Sequence, residues 1–412
     1  MAKVADTRNA AAPKTATAQL MTEIGQAAQS SEPVSGLTHN FYRYPARFSP
    51  LFVQAAIRAF TKPGDTVFDP FMGGGTTLVE ASALGRRCIG TDINSLAVFI
   101  SRVKTTPLSE GDLLAVHSWT AEIMDTVNMR KPPVRAIDWA DLGYQRNISG
   151  KSTWPIRKAA ELILANLGSL DTEEQRQFAR CALLKTAQWA LDCRTHIPPV
   201  KQFRGQFLRY LKEMMDGARD YADTLRRLGF RTDRFEHPLS LCVHRPVAGI
   251  EGEVKLAGFF PPRLILTSPP YPGVHVLYHR WQVRGRKETP APFWIANTVD
   301  GNGASFYTFG DRTRRDLGPY YENLRAAFSS LARIADENTL LVQLVAFSDP
   351  AWQLTTYLNV MEEAGFKEMP PQGAANSSDG RVWRRVPNRK WYALQKESQA
   401  TAKEVVLFHR LA

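Results

Sequence analysis

Apolar positions along this chain keep two different rhythms. Continuous apolar runs at Thr66-Val-Phe-Asp69, Arg87-Cys-Ile-Gly-Thr-Asp92, Arg263-Leu-Ile-Leu-Thr-Ser268, Thr339–Phe347 and Val405–His409 have the texture of buried strands. Between them, apolar residues spaced three and four apart predict helices over Leu51–Phe60, Thr76–Leu84, Tyr320–Ile334 and Trp352–Ala364. Gly85 stops the second of these, so residues 66–92 read as strand, helix, strand, a unit that implies a parallel sheet. Residues 109–235 differ, reading as amphipathic helices such as Ala159–Leu167, Glu173–Leu191 and Gln206–Leu228. Residues 1–36 are rich in Ala, Thr and Ser with few large apolar side chains, which predicts a disordered tail. The expected organisation is a tail (1–36), one half of an α/β domain (37–108), a helical insertion (109–239) and the second half (240–412).

Composition narrows the function classes. With 412 residues, 44% of them hydrophobic, the chain can bury a sizeable core, and no apolar run approaches the ~20 residues of a membrane span. The four cysteines (Cys88, Cys181, Cys193, Cys242) form no Cys-x-x-Cys pair, which argues against a disulfide framework or zinc cluster and for a cytoplasmic location. His275 and His279 stand four apart but lack the Glu of a zinc-binding helix, so no metal is expected. No Pro-Cys loop offers a nucleophile for covalent catalysis. The formal net charge of +12 points to a polyanionic partner, nucleic acid first, and residues 143–234 alone carry 17 basic and 10 acidic side chains.

Two loops carry candidate chemistry. Phe68-Asp-Pro-Phe-Met-Gly-Gly-Gly-Thr-Thr77 sits where a strand passes into a helix. There, glycines permit close backbone approach, and free helix amides at Thr76 and Thr77 can bind ligand oxygens. Asp92 ends the next strand, where a carboxylate can accept from both hydroxyls of a ribose. The dinucleotide fingerprint fits poorly, because its third glycine would fall at Leu78. In Thr267-Ser-Pro-Pro-Tyr-Pro272, two prolines stiffen the strand exit and leave acceptors at Ser268 and the Pro269 carbonyl, with Tyr271 offering a flat face. Such acceptors could hold both hydrogens of a nucleobase amine while the tyrosine stacks on an extruded base.

Together these loops resemble the S-adenosylmethionine-dependent DNA amino-methyltransferases, with their Asp-Pro-Phe-x-Gly-x-Gly-Thr-Thr and Ser/Asp/Asn-Pro-Pro-Tyr motifs. His39–Pro50 resembles the family's aromatic segment through Tyr44-Pro-Ala-Arg-Phe48, and the likeness takes in roughly residues 37–105 and 260–412. It implies a Rossmann-like α/β methyltransferase with a mostly parallel sheet and a helical insertion. It also implies a cofactor site at Tyr44, Pro45, Asp69, Phe71, Gly73, Gly75, Thr76, Thr77 and Asp92, and catalytic residues Ser268, Pro269, Pro270 and Tyr271. Ser268 in place of Asp or Asn is similar to the cytosine 4-amino enzymes, with adenine 6-amino or RNA methylation as alternatives. An inactive DNA-binding subunit is the rival from another class. Gly74 replaces the commoner serine, expected to lose only a hydroxyl contact, and the family's contact to the adenine ring stays unassigned near Cys242-Val-His-Arg-Pro246.

Basic segments complete the reading: cations neutralise phosphates and planar groups stack on bases. Arg280, Trp281, Arg284, Arg286 and Lys287 form one such run, and Arg312, Arg314 and Arg315 a second. Arg384 and Arg385 belong to a third, residues 381–396, with six basic residues and no acidic one. The implied partners are DNA and cognate restriction or defence proteins.

Overall fold

The computed structural model describes residues 12–30, 32, 34–44, 48–126, 129–130, 139–230, 239–272, 280–285, 287–301, 309, 316–370, 377–385 and 403–412. The strands are β1 (Thr66–Asp69), β2 (Arg87–Asp92), β3 (Ser240–His244), β4 (Leu264–Thr267), β5 (Trp281–Val283), β6 (Lys287–Thr289), β7 (Leu340–Ala346), β8 (Phe366–Glu368), β9 (Val382–Arg385) and β10 (Lys403–Leu411). The central sheet runs β3-β2-β1-β4-β7-β10-β8, with β9 also paired to β10. From β3 to β7 every pairing is parallel, and β10 enters antiparallel to β7. The fold is therefore Rossmann-like and mostly parallel.

Side-chain parity sorts the two faces of the sheet, because successive residues of a strand point to opposite sides. Val67, Leu264, Leu266, Val342, Leu344, Val406 and Phe408 join one core, under α1 (Ala12–Gln29) and α2 (Pro50–Phe60). Phe68, Ile265, Leu341, Val345, Val405 and Leu407 join the other, which later in the chain is covered by a pair of helices packed through Leu324, Phe328, Leu331, Tyr357 and Val360. Buried on both faces, these strands read as continuous apolar runs and show no alternation.

After β1, α3 (Thr76–Ala83) returns the chain to β2, and α4 (Ser95–Thr105) follows with Asn94 capping it, its side chain accepting from Leu96 N–H at 3.0 Å. Then come α5 (Glu110–Thr126), α6 (Trp154–Ala165), α7 (Glu173–Leu191) and α8 (Val200–Arg227). The start of α7 is fixed by a capping box between Thr172 and Gln175. These helices do not form a body with its own closed core. Their core includes Phe41, Tyr42 and Tyr44, Leu96 and Ile100 of α4, and, beyond β4, the hairpin strand β5 and α9 (Ala291–Ala296). Tyr221 of α8 reaches α3, its hydroxyl 2.7 Å from that of Ser82. The helices over the second face of the sheet are α10 (Gly318–Ile334) and α11 (Pro350–Glu363).

One expectation changes here. Within the segment read as a disordered tail, α1 packs on α2 and buries Met21, Ile24 and Ala28. Three apolar residues at helical spacing were too few to stand out in an Ala- and Thr-rich stretch, yet they fill the groove beside α2. No helix among the described residues is long and apolar enough to cross a membrane.

If α1 is an integral part of this core, Ile24→Ala should lower unfolding free energy by about 2–4 kcal/mol, as expected for a fully buried aliphatic side chain. A denaturation midpoint within error of wild type would show that α1 contributes nothing to the fold.

Candidate active site

The chain leaves β1 for β2 and β3 on one side, then returns to place β4 and β7 on the other. Open α/β sheets bind ligands at such a reversal, outside the carboxyl ends of the strands. Asp69 ends β1 and Thr267 ends β4, and across the reversal the Thr267 hydroxyl donates to Asp69 Oδ1 at 2.7 Å. The Phe71 amide donates to the same oxygen at 3.2 Å. Burial pushes the Asp69 carboxyl up to about 6, against the pull of the Thr77 and Thr267 hydroxyls and the Phe71 amide, while Asp92 nearby adds to the rise.

The glycine loop is held from several directions. Gly73 and Gly75 take positive φ of 46° and 74°. A Cβ on Gly75 would stand 2.6 Å from Ser101 Oγ. The loop's carbonyls are taken from α4: Ser101 Oγ donates to Gly73 O at 3.0 Å, and the fully buried Lys104 ammonium donates to Gly74 O at 2.7 Å. Gly73 N–H donates to Asp92 Oδ2 at 2.9 Å, and Asn94 N–H to Asp92 Oδ1 at 2.8 Å. Desolvation pushes Asp92 up to about 6 as well, opposed by those amides and by His244. Thr76 and Thr77 open α3 and are buried, and Phe71 packs edge-on to Phe309 at 5.5 Å.

Tyr44 backs the loop, its hydroxyl accepting from Asn94 Nδ2 at 3.1 Å. This corrects the reading of Gly74. A Cβ there would lie 2.9 Å from Tyr44 Cβ, so the glycine makes room for the tyrosine as well as lacking a hydroxyl. At the end of β3, His244 Nε2 donates to the Ile93 carbonyl at 3.0 Å and Arg245 N–H to that of Asp92 at 3.1 Å, which sets the Cys242–Pro246 stretch beside the Asp92 end of the crevice.

In the second loop the Ser268 hydroxyl lies 2.8 Å from that of Tyr271 and 3.0 Å from the Leu344 carbonyl, to which it donates. Tyr271 in turn donates to Glu404 Oε1 at 2.9 Å, and its ring packs against the second sheet core. The Pro270 carbonyl accepts from the Tyr320 hydroxyl at 2.8 Å. That bond makes Pro270 a fixed point of the loop, and the Pro269 carbonyl, next to Ser268, remains the backbone acceptor of interest.

The basic residues are the least well foreseen. Trp281 is 2% exposed and its indole donates to Tyr42 at 2.9 Å, so it is part of the helical core and has no face for a base. Arg280 pairs with Asp300 at 2.8 Å and with Glu288 at 3.8 Å. Arg384 pairs with the buried Glu404 at 2.7 Å and donates to the Ala28 carbonyl at 3.3 Å, which corrects its assignment to phosphate. Arg284 and Lys287 are exposed at the β5–β6 turn. Arg385 lies on β9 with its side chain outside the described residues, as are Pro45, Arg286, Arg312, Arg314 and Arg315 altogether. Lys104, Ser101, Asn94 and Glu404 were not anticipated. The polar stripe Ser101, Lys104 and Thr105, three and four apart on α4, was the available signal for the first two.

Residues 19–101 match the family model described as DNA methylase. Type II methyltransferase M.MvaI of Kocuria varians is 42% identical over 80 residues, 19% of this chain and 18% of that protein. Type II methyltransferase M.MjaII of Methanocaldococcus jannaschii is 38% identical over 66 residues, 16% of this chain and 12% of that protein. Type II methyltransferase M.BsoBI of Geobacillus stearothermophilus is 48% identical over 56 residues, 13% of this chain and 11% of that protein. The chain thus spans less than a fifth of the length of each of these relatives. A solved rRNA methyltransferase, aviRa of Streptomyces viridochromogenes, aligns at 12% identity with a TM-score of 0.32 over 98% of this chain and 96% of that one. At that score the fold assignment rests on the strand order itself. The matches support the amino-methyltransferase family, and the family-model match covers the segment carrying the glycine loop and Asp92 but stops short of Ser268–Tyr271.

Arg384→Ala should destabilise the protein by about 3–5 kcal/mol, because it leaves the Glu404 carboxylate buried without its partner. Any affinity of the chain for DNA should keep the wild-type slope of log affinity against log salt. A stable variant with a flattened slope would return Arg384 to a phosphate-binding role. Gly74→Ser should displace Tyr44 and lower the melting temperature, and an unchanged melting curve would mean that Tyr44 moves freely.

Proposed function

We propose that this chain transfers a methyl group from S-adenosylmethionine to the exocyclic amine of a DNA base, cytosine before adenine, as the modifying activity of a restriction or defence system. The observation that carries the reading is the Thr267–Asp69 hydrogen bond, which ties the glycine loop and the Ser268–Tyr271 loop together at one edge of the sheet. A cofactor bound by the first loop would adjoin a base bound by the second, and proximity supplies most of what a methyl transfer needs.

The residues fit the cofactor. Each oxygen of Asp92 accepts one amide hydrogen, leaving lone pairs for the two hydroxyls of a ribose. Buried Thr76 and Thr77 open α3, whose first amides have no partners within the helix and would receive a carboxylate. When bound, S-adenosylmethionine supplies an electrophilic methyl group on a sulfonium. The protein's part is to present a nucleophile. An aromatic amine is a poor one because its lone pair is delocalised into the ring. Acceptors at Ser268 Oγ and Pro269 O would hold its two hydrogens and favour a more tetrahedral nitrogen, with Pro270 and Tyr271 fixing the loop. Ser268 in the first position supports cytosine. DNA contacts would fall to the exposed Arg284 and Lys287 and to the basic residues outside the described segments.

Digestion of treated DNA to nucleosides followed by mass spectrometry should find methyl on the cytosine amine. Methyl on the adenine amine would move the assignment to adenine, and no methylated nucleoside from varied DNA would move it to RNA or to a binding subunit.

Cofactor affinity should depend on pH with a defined sign. As pH falls through about 6, Asp92 takes up a proton and ceases to be a charged acceptor, so affinity should drop between pH 7 and 5 and level off above 7. Calorimetry on Asp92→Asn should give a weaker and flatter profile, by about 1.5–3 kcal/mol at pH 7.5. An Asp92→Asn profile with the wild-type drop would assign the titration to another group.

A further inference from the structure

The Ser268–Tyr271 loop is wired to a buried ion pair on the antiparallel side of the sheet. Because β10 runs against β7, its first residues arrive at the edge where the parallel strands end. Glu404 is registered opposite Ala346, two residues beyond the Leu344 carbonyl that Ser268 uses. Glu404 is 2% exposed. Its Oε1 accepts from the Tyr271 hydroxyl at 2.9 Å and its Oε2 from Arg384, with Nε and Nη2 both at 2.7 Å.

Counting protons shows what this wiring does. The three contacts Ser268 to Leu344 O, Ser268 to Tyr271 and Tyr271 to Glu404 share two hydroxyl hydrogens, one on the serine and one on the tyrosine. A carboxylate held by a guanidinium accepts only. Tyr271 must then donate to Glu404, and Ser268 is left to donate to Leu344 or to Tyr271. In either state both hydrogens are engaged within the protein, and Ser268 Oγ keeps a lone pair to offer a donor.

We propose that Glu404, fixed by Arg384, is a positioning residue that draws the Tyr271 hydroxyl hydrogen to itself and so leaves the Ser268 hydroxyl a hydrogen-bond acceptor for the substrate amine. The proposal rests on the methyl-transfer reading, in which the loop must accept amine hydrogens. A neutral amide at position 404 could donate to Tyr271, free its hydrogen to turn toward Ser268 or the crevice, and place a donor where an acceptor is needed.

The test is a double-mutant cycle on the full-length protein with Glu404→Gln and Tyr271→Phe. Each single variant should lower kcat roughly 5- to 30-fold, the worth of one misdirected hydrogen bond, with S-adenosylmethionine affinity by calorimetry unchanged. Adding Glu404→Gln to Tyr271→Phe should cost nothing more, because the hydroxyl through which Glu404 acts is gone. Multiplicative losses would overturn the proposal and leave Glu404 a purely structural ion-pair partner. If Glu404→Gln does not fold, Tyr271→Phe alone decides: it keeps the ring, so unchanged kcat would overturn the proposal and reduced kcat at an unchanged melting temperature supports it. With the tyrosines labelled at Cζ with carbon-13, the Tyr271 resonance is identified by its loss in Tyr271→Phe. That resonance should move in Glu404→Gln, and a fixed position overturns the wiring whether or not DNA is methylated. A wild type that methylates no base while this resonance still moves overturns the methyl-transfer reading and leaves the wiring standing.

Discussion

Everything in the crevice depends on burying a carboxylate at the point where the sheet reverses direction. Asp69 is 2% exposed, and a bare charge there would be costly. It is retained because the Thr267 hydroxyl and the Phe71 amide hold it, and the Thr267 bond fixes the ends of β1 and β4 relative to each other. The same desolvation acts on Asp92 one strand away. Two carboxyls raised to about 6 within one cleft are poised to respond to a ligand that brings hydrogen-bond donors or positive charge.

The strands and helices of the α/β part were legible because strands covered on both faces are apolar throughout and their connecting helices are amphipathic. The glycine loop, Asp92 and Ser268–Tyr271 stood out in the sequence for a different reason: each motif is contiguous, and the chemistry proposed for it is a property of a few neighbouring residues. Lys104 and Glu404 were not. Each acts on a partner far away in sequence, Gly74 in one case and Tyr271 in the other, and nothing in the local pattern of either residue names that partner. A lysine near the end of a helix or a glutamate at the start of a strand is ordinarily a solvated residue, and only the tertiary fold reveals that these two are buried.

The charged segments illustrate the opposite error. A run of cations with a tryptophan has the composition of a nucleic-acid surface, yet composition does not say which atoms face water. Trp281 alternates with Gln282 on β5, and the strand turns its tryptophan into the helical core beside Tyr42. Arg384 alternates in the same way on β9, opposite Glu404 in register. The period of two that makes a strand half-buried removes every second residue from the surface, so basic runs on strands overstate the charge available to a phosphate backbone.

The supports of the glycine loop come from outside the sheet, and this ties the helical layer to the chemistry. Lys104 and Ser101 hold the loop's carbonyls from α4, Tyr44 blocks the space behind Gly74, and α4 and Tyr44 themselves belong to the core built by α5 to α9. Loop conformations with positive φ at two glycines have little intrinsic preference over alternatives, so their definition must be imposed by such contacts. The helices between β2 and β3 therefore brace the glycine loop. A change in their packing reaches the crevice through Lys104 and Tyr44 without altering any residue that would touch a ligand.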